Sequence, residues 1–267
     1  MRIVVLVKYV PQVDSDLRFT DSHTVLREPA AGTLNELDEH AIEAALQLAA
    51  TEPGSEVIAL AMAPEIGDLA LRKAFQFGVD RGIRLTDDGL AGSDTFGTTA
   101  VLAAAIRKLG EQSPVQVVVA GMASSDAAGA VVPALLASDL GWPGLTFADA
   151  VSVADGGGAL TVTRSIDDAV ETLQAPLPVV LSVTDSANTV RTPNFKLIMA
   201  ARAKPIETWT LADLDVDAAT VGAAAARTVV VDTARVPDKP TPPVVLDDGS
   251  GSGAQALVDF LVEKELV

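Results

Sequence analysis

Ile3–Val7 is a nearly unbroken apolar run, the pattern of a strand covered on both faces in a parallel sheet. Lys8–Asp16 leaves it as a loop containing Pro11, and Phe19–Leu26 suits a short hairpin turning at Asp21-Ser22. From Leu37 the apolar spacing becomes helical, with Leu37, Ala41, Ala44, Ala45 and Leu48 on one face. Asn35 precedes them as an N-cap, and Glu36, Asp38 and Glu39 complement the helix dipole. Glu56–Met62 reads as a second strand and Glu65–Phe77 as a second helix, stopped by Gly78. Arg81–Leu85 is a short strand, and Gly92-Ser93-Asp94 opens a helix over Thr95–Leu109 that Gly110 closes.

The stretch Val115–Pro143, VQVVVAGMASSDAAGAVVPALLASDLGWP, then joins three features. A Val-rich strand, Val115–Ala120, stops at Gly121; a small hydroxyl-rich loop, Met122–Gly129, follows; an apolar helix runs from Val131 to Leu140. Strand, loop and helix N-terminus in that order make a cradle for an anion. Strands alternating with helices predict an α/β fold with a doubly wound, mostly parallel, Rossmann-like sheet.

After Pro143 the pattern changes. Phe147–Val153, Ala159–Ser165, Val170–Gln174 and Val179–Val183 predict strands separated by turns such as Asp155–Gly158, an antiparallel addition. Asn194–Ala203 reads as a short helix and Thr228–Asp232 as a last strand. From Val236 prolines and then Gly/Ser mark a linker, stiff first and flexible afterwards. A helix over Ala254–Lys264 follows, with Leu257, Val258, Phe260 and Leu261 apolar. The expected organisation is an α/β domain over 1–235, whose strand–loop–helix unit suits either a nucleotide or no ligand at all, and an arm over 236–267 that reaches for another chain.

Composition narrows the chemistry. The 267 residues contain no cysteine and only His23 and His40, which excludes thiolate sites and leaves His-based catalysis poorly supplied. A net charge of −17 argues against nucleic-acid binding. No apolar run reaches the ~20 residues of a membrane span, and the opening MRIVVLVKYV is too short for a signal peptide; a cytoplasmic protein is expected.

The loop after Val115–Ala120 is neither a phosphate loop with Gly-Lys-Ser/Thr nor a Gly-x-Gly-x-x-Gly fingerprint. Ser124, Ser125 and Asp126 suit either helix capping or ligand contact, with Gly121 admitting close backbone approach. Asp167, Asp168 and Glu171 fit a solvated turn better than paired-carboxylate catalysis, having no histidine nearby. Asn188–Lys204 groups Phe195, Leu197, Ile198 and Met199 beside Arg191, Lys196, Arg202 and Lys204. That suits a helix covering a sheet edge or a partner-docking loop.

These residues together resemble the β subunit of electron transfer flavoprotein over nearly the whole chain. The most specific part is VTRSIDDAVETLQAPLPVVLS from Val162 to Ser182, where Ala169 departs from an acidic or Gly position. The opening VVLVKYVP, the Asn35–Glu39 motif, GVDRGIRL, ASSDAAGAVVPALLASDLGWP and RTPNFKLIMAARAK also match. The resemblance implies an electron-carrier subunit, not an enzyme, paired with an α subunit that holds most of the FAD. The β subunit would hold AMP, or a second FAD in the bifurcating type. Electrons would come from flavin dehydrogenases, such as those of fatty acid oxidation, docking on 188–204, and pass to a quinone oxidoreductase. By position, the nucleotide site comprises Leu6, Asn35, Glu36, Leu37, Asp38 and Met62, with Gly121, Met122, Ala123, Ser124, Ser125, Asp126, Gly129, Ala130, Val131 and Val132 around the phosphates. Phe195 is the docking anchor, with Arg191 and Met199 beside it. Ala130–Val132 replace side chains that carry Gln, Asn or Thr in many members, and Ala200-Ala201 thin out the basic character after the docking loop. Backbone-dominated and weaker AMP binding follows, with the Asp126 charge repelling phosphate unless it accepts N–H bonds. A nucleotide-hydrolysing enzyme or nucleotide sensor is the alternative, but such an enzyme carries its phosphate loop after the first strand, where this chain has KYVPQVD.

Overall fold

The computed structural model describes residues 1–12, 17–28, 31–237, 239–247 and 249–267. Val13–Asp16 of the predicted loop, and Asp238 and Asp248 of the predicted linker, lie outside them. The strands are β1 (Arg2–Leu6), β2 (Tyr9–Pro11), β3 (Gly32–Leu34), β4 (Glu56–Met62), β5 (Arg81–Leu85), β6 (Val117–Gly121), β7 (Gly144–Ala148), β8 (Ala150–Val153), β9 (Ala159–Ile166), β10 (Ala169–Pro176), β11 (Val179–Val183) and β12 (Ile206–Trp209). The helices are α1 (Glu36–Ala50), α2 (Asp68–Phe77), α3 (Thr95–Gln112), α4 (Val132–Leu140), α5 (Phe195–Ala203), α6 (Gly222–Ala225) and α7 (Ser252–Glu263).

Seven strands form one parallel sheet in the order β12-β5-β4-β1-β6-β11-β7. Alternation along β1 divides the core. Ile3 and Val5 join α1 and α2 on one face; Val4 and Leu6 join α3 and α4 on the other. Both faces are therefore covered, which is why β1 reads as an unbroken apolar run. The chain leaves β1 towards β4 and later returns to pair β6 on its other side. That reversal opens a crevice at the carboxyl ends of β1 and β6, where doubly wound sheets bind ligands.

Local chemistry sets the helix ends. Asp94 accepts from the Phe96 and Gly97 amides at 3.0 Å each and so caps α3. Gly78 and Gly141 take left-handed backbone after α2 and α4. The second helix starts later than predicted: Glu65–Gly67 form a 3₁₀ turn before Asp68. Gly110 does not close α3, which continues to Gln112.

Three strand expectations are corrected. Val179–Val183 is β11, buried along its whole length and parallel to β6 and β7 in the main sheet; an apolar run cannot by itself report strand direction. Phe147–Val153 splits: Phe147-Ala148 end β7 in the main sheet, whereas Ala150–Val153 form β8 in an antiparallel β10-β9-β8 sheet. Thr228–Asp232 forms no strand. The Arg227 and Thr228 amides donate to Asp94 instead of to a ladder, and β12 takes the place beside β5. Lys8–Pro11 is not all loop, since Tyr9–Pro11 pairs with Gly32–Leu34. Phe19 and Val25 make the predicted hairpin contact.

Contacts divide the chain into Met1–Val231 and Asp232–Val267. In the second unit Asp247 accepts from the amide of Gly249, ahead of α7, and from that of Gly253 in its first turn; no residue of α7 is buried.

Candidate functional site

Leu6, Met62 and Gly121 end three neighbouring strands, so the predicted site residues collect at the carboxyl edge of β4, β1 and β6. Leu6, Met62 and Val132 pack on the same core face there. Asn35 is the hub. It precedes α1 but makes no side-chain capping bond. Its amide nitrogen donates to Asp38 Oδ1 at 3.0 Å and to the Ala123 carbonyl at 2.9 Å, while its Oδ1 accepts from the Ser125 amide at 3.1 Å. The predicted cap is thus spent on lashing the loop after β6 to the first turn of α1. Asp38 also accepts from the Lys8 amide at 2.8 Å, which ties the end of β1 to the same junction.

Burial dominates Asp38 and pushes its carboxyl up to about 7, against the opposing pull of its bonds to Asn35 and Lys8. Gly121 is required by this packing. A Cβ there would lie 2.7 Å from Asp38 Oδ1 and 2.8 Å from the Leu37 carbonyl carbon and oxygen. Glu36 is exposed and Leu37 half-buried at the same turn.

The loop itself is closed by Ser124, whose carbonyl accepts from the Ala128 amide at 2.8 Å. Ala128 and Ala130 both hold left-handed backbone, at φ 48° and 53°, a conformation that costs an alanine stability and that the surrounding loop must enforce. Val131 precedes α4 without a side-chain cap. No side chain therefore caps the first backbone donors of α4, and Pro133 removes one of them.

Asp126 is where the structure changes the picture most. Lys8 Nζ donates to its Oδ1 at 2.7 Å and to Ser124 Oγ at 3.1 Å, and Arg27 engages its Oδ2 through Nε at 3.1 Å and through a terminal nitrogen. The Asp126 side chain has no exposed surface. Burial would raise its carboxyl, but the Lys8 and Arg27 charges hold it below the usual carboxylate range. Among the described residues, then, Asp126 accepts from no backbone N–H; it binds two cations. Sequence reasoning passed over both. The signal for Lys8 was its place directly after the first strand; Arg27 carried none.

Within 188–204, Phe195–Ala203 form α5, capped by Asn194, which accepts from the Leu197 amide at 2.9 Å. Phe195 is 78% exposed, and Met199, one turn on, also faces solvent. Arg191 does not join them. It grips Glu43 of α1 with Nε at 2.6 Å and a terminal nitrogen at 3.1 Å, while Asn188 donates to the His40 carbonyl at 3.0 Å. The Asp167-Asp168 pair is the turn between β9 and β10, and Glu171 pairs with Arg164 at 2.8 Å.

The family model of the electron transfer flavoprotein domain matches residues 23–214. The chain belongs to the electron transfer flavoprotein family. It is 39% identical over 270 residues to the electron transfer flavoprotein subunit beta of Mycobacterium tuberculosis, covering 99% of each chain. It is 30% identical over 267 residues to the caffeyl-CoA reductase-Etf complex subunit CarD of Acetobacterium woodii, covering all of both. Protein FixA of Azorhizobium caulinodans is 33% identical over 219 residues, 81% of this chain and 78% of that one. Membership places the chain among the β-type subunits, electron carriers rather than enzymes, in a flavoprotein whose other half is an α subunit. No helix among the described residues is long and apolar enough to cross a membrane.

Proposed function

We propose that the chain is the β subunit of a heterodimeric electron transfer flavoprotein that holds AMP as a structural ligand, while the α subunit holds FAD. The observation that carries this is the Asn35 junction: one side chain fixes both the α1 turn and the loop leading to an uncapped α4, beside the β1–β6 crevice. A phosphate at the α4 start would meet backbone donors and the positive end of a helix. No acid–base or nucleophilic residue is needed, because the flavin carries the redox chemistry and the protein sets its approach to donor and acceptor. Electrons would arrive from flavin dehydrogenases that seat Phe195 and Met199 of α5, and leave for a quinone oxidoreductase. The 232–267 unit, with Leu257, Phe260 and Leu266 exposed, would lie against the α subunit.

Co-expression with the α subunit, followed by an absorbance spectrum and mass spectrometry of the extracted nucleotides, tests the reading. The expected result is yellow flavin absorbance with FAD and AMP in equal amounts. FAD alone, at two per heterodimer, would point to the bifurcating type, and a colourless preparation without nucleotide would reject both.

A further inference from the structure

Asp126 has more positive charge on it than a loop latch needs. Each carboxylate oxygen has its own cation, Lys8 on Oδ1 and Arg27 on Oδ2. The carboxylate is fully covered, whereas the Lys8 and Arg27 side chains are 40% and 33% exposed. The negative partner is thus inside and the positive ones reach solvent. Lys8 has three N–H donors and spends two, on Ser124 and Asp126, among the described residues. The cluster carries one positive charge in excess on a chain of −17. The adjoining Asp38 carboxyl, pushed up to about 7, carries less than a full negative charge at neutral pH.

Resting on the nucleotide reading above, we propose that Lys8 and Arg27, held as a pair by Asp126, read the phosphate charge of the ligand and make the site select a nucleoside monophosphate over the bare nucleoside. Backbone donors alone would serve poorly here. Pro133 supplies no N–H, and Ala130, Val131 and Val132 offer no side-chain donors. An anion approaching so acidic a chain needs local positive charge that stays solvent-facing, which is what this cluster supplies.

The test is calorimetric titration of the nucleotide-stripped heterodimer with AMP and with adenosine. Lys8→Gln and Arg27→Gln should each weaken AMP about tenfold or more, the loss of one charge-assisted contact, while adenosine changes less than about twofold. Lys8→Arg, which keeps the charge, should retain AMP. Equal losses for both ligands would make the cluster a latch and overturn the proposal, as would AMP affinity unchanged in both variants. Should the glutamine variants not fold, wild-type protein decides the matter. AMP affinity should fall as KCl rises from about 0.05 to 0.5 M and adenosine affinity should not; parallel behaviour overturns the proposal. Wild-type protein that binds no AMP overturns the nucleotide reading itself, a result distinct from either of these.

Discussion

The Asn35 amide donates to the Asp38 carboxylate at 3.0 Å in a setting where both side chains are buried. Two consequences follow for stability, one from charge and one from space.

The first concerns pH. The Asp38 carboxyl is raised to about 7 in the folded protein, above its ordinary value of 3.8. The folded state therefore holds this proton more tightly than the unfolded chain. The stabilising contribution is complete below the unfolded value and is lost as pH rises through about 7. Urea unfolding from about pH 5 to 8 should show stability falling and then levelling for this group. Asp38→Asn, which cannot ionise, should lose that slope. An identical slope in both proteins would remove Asp38 as its source.

The second concerns Gly121. Any side chain there collides with Asp38 Oδ1 and the Leu37 carbonyl, which are backbone or hydrogen-bonded groups with little room to retreat. Gly121→Ala should cost about 1–3 kcal/mol, the usual penalty of overpacking, read as a lowered melting temperature. Because the displaced groups hold the Met122–Val131 loop, AMP content after purification should fall with it. Wild-type stability in this variant would show that the crevice is looser than the contacts imply.

Phe195 is predicted to act only in docking. It caps nothing and buries little, so Phe195→Ala should leave the melting temperature and flavin content unchanged. Stopped-flow reduction by the donor dehydrogenase should show a roughly tenfold or greater rise in KM, the loss expected of an aromatic interface anchor. A normal KM would move the docking site elsewhere.

What was legible in the sequence follows from what hydrophobic pattern can encode. The β6–loop–α4 unit was readable because a buried parallel strand must be apolar throughout and its loop must be small and polar. β11 has the same apolar signature, but its neighbours in sequence were antiparallel strands, and its direction is set by pairing with β6, 62 residues away at Val117↔Val179. Asn35 looked like a cap because capping is local; besides Asp38 its side-chain partners are Ala123 and Ser125, 88 and 90 residues distant. Lys8 and Arg27 meet Asp126 across 118 and 99 residues, beyond any spacing argument. Arg191 was grouped with Phe195 by proximity along the chain, yet the fold turns it back onto Glu43.

That Arg191–Glu43 pair supports the last prediction. Glu43 is almost wholly covered and Arg191 is 41% exposed, so one partner is desolvated and the other partly screened. Burial would raise the Glu43 carboxyl, but the hydrogen bonds and charge of Arg191 and the Gln47 amide hold it below its ordinary 4.5. A lowered folded-state value means that the stabilisation is present above the unfolded value and is lost as pH falls through the folded one. Glu43→Gln should therefore cost about 1 kcal/mol at neutral pH, discounted for the exposure of Arg191, and the cost should shrink below about pH 4. Because the pair anchors the entry to α5, amide exchange of residues 188–199 should quicken in this variant while the main sheet keeps its protection. Exchange that is unchanged in that segment would mean that Asn188 and the α5 packing hold α5 without the ion pair.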